Sequence, residues 1–132
     1  MDKGKNKISF IILDENVASL KNLECLLRSE HSFICVGSFT DPQIALENLK
    51  HISFDVLFIT QKFYQLQNFQ INHLTDNKTL CVFMSPTKKS AYDAYLSEAF
   101  WFLIKPIQNE QLQKRLKRIE KHFSILEKLR NY

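Results

Sequence analysis

The chain has 132 residues, 45% of them hydrophobic, a length that fits one domain and a composition that supports one buried core. Eleven Phe against 2 Gly and 3 Pro exclude a loop-rich, low-complexity or disordered chain. The formal net charge of +4 is unevenly placed: Gln108 to Tyr132 carries seven Lys or Arg against three Glu, which accounts for all of it.

After a lysine-rich start, Ile8 to Leu13 is a short apolar run, β-branched at half its positions, that stops at Asp14 and Glu15. It reads as a strand buried on both faces, and it is too short for a signal-peptide core. Val17, Leu20, Leu23, Leu26 and Leu27 then recur at helical spacing and predict a helix over 17–27. Phe33 to Val36 is a second strand, and Thr40-Asp41-Pro42 starts a second helix with Ile44, Ala45, Leu46 and Leu49 on its apolar side. Asp55 to Thr60, Leu80 to Ser85 and Trp101 to Ile104 are the third, fourth and fifth strands. Between them, Gln61 to Asn77 predicts a poorly formed helix, and Ser90 to Ala99 has helical spacing. The last helix runs on to Arg130.

Five apolar strands alternating with helices predict an α/β fold with a doubly wound parallel sheet, since parallel neighbours need crossover connections. One domain is expected, with a core over 8–120 and a helical extension over 121–132. No stretch approaches the ~20 apolar residues of a membrane span, so the expected place is the cytoplasm. Cys25, Cys35 and Cys81 form no Cys-x-x-Cys pair and no zinc spacing with histidine; buried thiols in a reducing compartment are expected. His31, His51, His73 and His122 are scattered and read as surface residues, which leaves histidine-based catalysis without support and predicts no enzyme.

In open parallel sheets, ligands bind at the carboxyl ends of the strands. Those ends carry Asp14 and Glu15 after the first strand, Thr60 closing the third, Ser85 closing the fourth and Lys105 after the fifth. An acid pair, a third-strand acceptor, a hydroxyl and a Lys-Pro, in that order, resemble the receiver domain of two-component response regulators. That is the CheY-like fold, with strand order 2-1-3-4-5. Two segments add to the resemblance. Ala91-Tyr92-Asp93-Ala94-Tyr95 is similar to a segment common in receivers attached to LytTR-type DNA-binding domains, and Phe102-Leu103-Ile104-Lys105-Pro106 is similar to the family's aromatic-x-x-Lys-Pro ending.

The resemblance implies that Asp14 and Glu15 are the acidic pocket that helps bind Mg²⁺ in the family, that Ser85 and Lys105 stand at the phosphate-contact positions, and that Phe102 is the switch aromatic. The departure is at the centre, where Asp55-Val56-Leu57-Phe58-Ile59 leads into Thr60 and not into the family's nucleophilic aspartate. A threonine hydroxyl is a weak nucleophile without a base, and it lacks the carboxylate that forms an acyl phosphate and ligates the metal. Gln61-Lys62-Phe63-Tyr64 also lacks the family's Met-Pro and Gly, and Glu98 replaces a usual Gly. No bound metal or cofactor is therefore expected. Asp14 or Glu15 is expected to pair with Lys105, and Ser85 reads equally as a helix cap.

Leu112, Leu116, Ile119, Phe123 and Leu126 follow the 4-3-4-3 spacing of a coiled-coil seam. Leu116, Ile119, Phe123 and Leu126 are the expected interface of a homodimer. The functional expectation is a pseudo-receiver in a phosphorelay, unphosphorylated at the usual site and acting through a protein partner, a histidine kinase or an output domain. The alternatives are a regulator modified at Thr60 by a Ser/Thr kinase, and nucleic-acid binding through Lys114, Arg115, Lys117, Arg118 and Lys121.

Overall fold

The computed structural model describes residues 7–60, 62–63, 79–86 and 101–130. In chain order its elements are β1 (Ile8–Leu13), α1 (Val17–Arg28), β2 (Phe33–Phe39), α2 (Pro42–Leu49), β3 (Val56–Thr60), β4 (Leu80–Ser85), β5 (Trp101–Ile104) and α3 (Asn109–Arg130). The strands form one parallel sheet in the order β2-β1-β3-β4-β5, which is the predicted order. The helical readings over Gln61–Asn77 and Ser90–Ala99, with Ala91 to Tyr95 and Glu98, lie outside the described residues apart from the helical pair Lys62 and Phe63.

The two-residue period of the strands divides the core between two faces. Phe10 and Ile12 of β1 pack with Leu20, Leu23 and Leu27 of α1 and with Leu112, Leu116 and Ile119 of α3. Ile11 and Leu13 face the other way, onto Ala45 and Leu49 of α2 and Phe63. Both faces are covered, which is why β1, β3 and β4 are near-continuous apolar runs.

Local signals fix the helix starts. The Asn16 side chain accepts from the Ser19 amide at 2.9 Å at the head of α1. Asp41 accepts from the amides of Gln43 (2.8 Å) and Ile44 (3.3 Å), with Pro42 in the first turn of α2. Asp55 lies outside β3, contrary to the predicted start. Its carboxylate accepts from the Ser9 amide (2.9 Å) and hydroxyl (3.1 Å), tying β1 to β3 at the end of the sheet away from the acid pair. Strand β2 is three residues longer than predicted, because its second half continues through Gly37 and Ser38 past a register shift in its pairing with β1.

Three further expectations change. Cys25 and Cys35 are exposed, and of the three thiols Cys81 alone is buried; β2 is an edge strand, so one side of its apolar run faces outward. Val17 (53% exposed) and Ile44 (51%) are likewise surface residues. The seam of α3 turns inward. Leu116 and Ile119 are fully buried against the sheet and Phe123 packs on the same cluster, leaving Leu126 half-buried. The 4-3-4-3 spacing is thus mainly the inner face of a docked helix, and Leu116 and Ile119, fully buried, are not available as a homodimer interface.

Candidate functional site

Parallel pairing brings the carboxyl ends of β1, β3, β4 and β5 side by side, with Thr60 opposite Met84 and Ser85 opposite Ile104. Asp14 follows β1 directly and is 1% exposed. Such a carboxylate must be paired and hydrogen-bonded, and both its oxygens are engaged. Oδ2 is 2.9 Å from Lys105 Nζ, and Oδ1 accepts from the Asn16 amide at 2.9 Å. The lysine is delivered by β5, whose end is tied to β4 through the Lys105 amide and the Ser85 carbonyl at 2.9 Å. The Lys105–Pro106 peptide is cis.

Glu15, one residue further along, is an exposed residue but not an unengaged one. The Thr60 hydroxyl donates to its Oε1 at 2.6 Å and accepts from the Phe63 amide at 3.4 Å. Thr60, 2% exposed, therefore bridges the loop after β1 and the turn after β3. Phe63, which the turn positions, is fully buried. Ser85 is buried at the end of β4. Phe102 is half-buried and stacks on Phe83, ring centroids 5.9 Å apart. Lys62, at the turn after β3, is exposed.

The expected residues are thus gathered at one end of the sheet, with Lys105 on Asp14 and Thr60 on Glu15. Mg²⁺ takes six oxygen ligands in near-octahedral geometry, one or two of them carboxylate and several of them water. Among the described residues two carboxylates are at hand, one paired with an ammonium and the other accepting a hydroxyl proton, and no group of three or more His, Cys, Asp or Glu is placed to hold a metal.

Sequence reasoning passed over Asn16, whose backbone holds Asp14 and whose side chain caps α1; a polar residue just before an apolar helical run was the available signal. It also passed over Gln111, which accepts from the Ile104 amide at 3.1 Å and donates to the Ile104 carbonyl at 3.2 Å. Arg115 donates to the Phe102 carbonyl at 3.3 Å. The pair occupies backbone groups of β5, the outer strand, and so blunts that edge against further pairing.

No protein-family model matches the chain. It is 26% identical over 119 residues to the transcriptional regulatory protein BtsR of Salmonella typhi, covering 89% of this chain and 50% of that protein. It superposes on the response regulatory domain of MrkE from Klebsiella pneumoniae with a TM-score of 0.75 at 23% identity, covering 89% of this chain and 98% of that one. The receiver domain of the Saccharomyces cerevisiae response regulator Ssk1, co-crystallised with the histidine phosphotransfer protein Ypd1, matches with a TM-score of 0.62 at 19% identity, over 83% of this chain and 86% of that one. The sheet order and these likenesses give the chain the CheY-like fold, and over most of its length it is similar to response-regulator receiver domains. It spans about half the length of the curated relatives it matches. Among the described residues, no helix is long and apolar enough to cross a membrane.

Proposed function

We propose that the chain is a pseudo-receiver, whose signalling state is set by protein contacts and not by phosphoryl transfer to the end of β3. The observation that carries this reading is the Thr60–Glu15 hydrogen bond at 2.6 Å. At the place where an acyl phosphate would form, a hydroxyl spends its proton on the neighbouring acid. Lys105 is paired with Asp14 and the Thr60 hydroxyl with Glu15, so each of the two acids already has a partner within the pocket. Without a carboxylate nucleophile at the end of β3, an acyl phosphate has nowhere to form, and a Mg²⁺ ion there would lack that carboxylate as a ligand.

The partner classes follow from the fold. A histidine kinase, a phosphotransfer protein of the kind bound to the yeast receiver, or an output domain would read the loops at this end of the sheet. Modification of Thr60 by a Ser/Thr kinase is disfavoured by its burial at 2% exposure, since a kinase must seat the acceptor hydroxyl in its own active site. The test is a two-dimensional NMR spectrum with and without beryllofluoride and millimolar Mg²⁺. Unchanged resonances for Asp14, Thr60, Ser85 and Lys105 are expected; a cooperative shift across those residues defeats the proposal.

A further inference from the structure

The outer face of α3 holds a feature that the sheet-end pocket does not use. Lys114, Arg118, Lys121, Ile125 and Lys128 recur at steps of four, three, four and three, with Lys117 and Leu129 flanking them, and all seven are exposed. The row is about 22 Å long at the helical rise. Among the described residues, Lys114, Lys117, Arg118, Lys121 and Lys128 have no ion-pair partner. Glu120 and Glu127 lie roughly a third of a turn round the helix from the row. At its far end, Ile125 (48% exposed) and Leu129 (63%) add aliphatic surface among the cations.

From this arrangement we infer that the outer face of α3 docks an acidic helix of another protein, one that carries apolar side chains at the end of its acidic row. Charge complementarity selects the partner's sign, because cations without partners steer an oppositely charged surface and oppose a like one. A straight row at three- and four-residue spacing matches the ridge of a second helix. A second copy of this chain is the wrong occupant. Parallel pairing of the rows sets each cation against itself, and antiparallel pairing sets Lys114 against Lys128 and Lys121 against Lys121. A lipid surface is also a poor fit, since interfacial helices bury a broad apolar face and that face of α3 is spent on its own sheet. Nucleic acid would satisfy the cations but would leave Ile125 and Leu129 against phosphate. The surface is separate from the strand-end pocket, so the two readings fail independently.

The experiment uses the full chain and a fluorescent helical peptide with a Glu row ending in two Leu, a control peptide with both Leu replaced by Ser, a short DNA duplex, and phosphatidylserine vesicles. Anisotropy at physiological salt should show the Leu peptide binding about tenfold more tightly than its Ser control, as expected for buried aliphatic contacts. Lys121→Glu with Lys128→Glu should abolish the difference, and Ile125→Ser with Leu129→Ser should bring the two peptides to equal affinity. Equal binding of both peptides to the unmodified chain, tighter binding of the duplex or the vesicles, or a dimer in light scattering that the charge reversals dissolve, each overturns the inference. Unchanged circular dichroism of the surface variants separates loss of binding from loss of fold.

Discussion

The hydroxyl of Thr60 lies 2.6 Å from the carboxylate of Glu15 and donates to it, while accepting from the Phe63 amide. One side chain thus joins β3, the loop after β1 and the turn after β3. Removing the hydroxyl without changing the shape, as Thr60→Val, should lower stability by about 1–2 kcal/mol, the usual worth of a hydrogen bond to a charged group when that group can regain water. Thr60→Ser should recover most of it. Urea denaturation of the three proteins reads the difference, and equal midpoints for Val and Thr would show that the bridge contributes nothing.

Placing an acid there has the opposite electrostatic sign. Thr60→Asp would set three carboxylates around one ammonium, so the variant should melt below the unmodified chain in chelator and rise when millimolar Mg²⁺ is added. The unmodified chain, whose two acids already hold Lys105 and the Thr60 hydroxyl as partners, should show no Mg²⁺-dependent change in melting temperature. An equal rise in both would place a metal site where none is expected.

The Asp14–Lys105 pair is more costly to break than an exposed salt bridge, because Asp14 is 1% and Lys105 17% exposed at the side chain. Lys105→Met should destabilise by about 3 kcal/mol by stranding a buried charge. Adding Asp14→Asn should restore a large part of that loss, a coupling that a double-mutant cycle measures. Strict additivity of the two changes would mean that the pair is not formed.

Phe123 discriminates between a seam and a core. Because it packs, as Trp101 does, against the cluster that contains Ile119 and lies edge-on to His122, centroids 5.2 Å apart, Phe123→Ala should cost about 1–2 kcal/mol, less than the full burial value for this change. Sedimentation should show no change in mass. A fall in mass with unchanged stability would return the residue to an intermolecular interface.

The thiols should separate by reactivity. Burial pushes the Cys81 thiol up to about 11 and also raises Cys35, aided by Glu24 against the lowering effect of the Gly37 backbone bond. At pH 8, a thiol reagent followed by peptide mass mapping should label Cys25, label Cys35 slowly and spare Cys81 until the chain is unfolded. A thiol whose folded-state value is raised favours the folded state below its unfolded value and loses that contribution as pH climbs. Stability should therefore fall between about pH 9 and 11, and Cys81→Ala should flatten that part of the profile. Labelling of Cys81 in the folded chain at the rate of Cys25 would contradict the burial.

The sheet order and the assembly of Asp14, Thr60, Ser85 and Lys105 at one end were legible because apolar runs ending in polar residues mark buried parallel strands, and such strands bring their carboxyl ends together. The bounds of β4 and β5 follow for the same reason. Strand β2 was harder. Its second half, with Gly37 and Ser38, belongs to an edge that need not be apolar, and the same exposure put Cys35 at the surface. The α3 seam misled because a helix docked on a sheet and a helix docked on its twin show the same spacing, and only packing tells Leu116 and Ile119 apart from interface residues. Which acid takes Lys105 and which takes Thr60 depends on side-chain direction at consecutive positions 14 and 15, and no pattern in the chain encodes that choice.

The central claim, that the end of β3 no longer accepts a phosphoryl group, is met most directly by intact-protein mass spectrometry after incubation with acetyl phosphate and Mg²⁺. The unmodified chain should keep its mass throughout. A gain of one phosphoryl group that hydroxylamine removes, as it removes an acyl phosphate, would contradict the account.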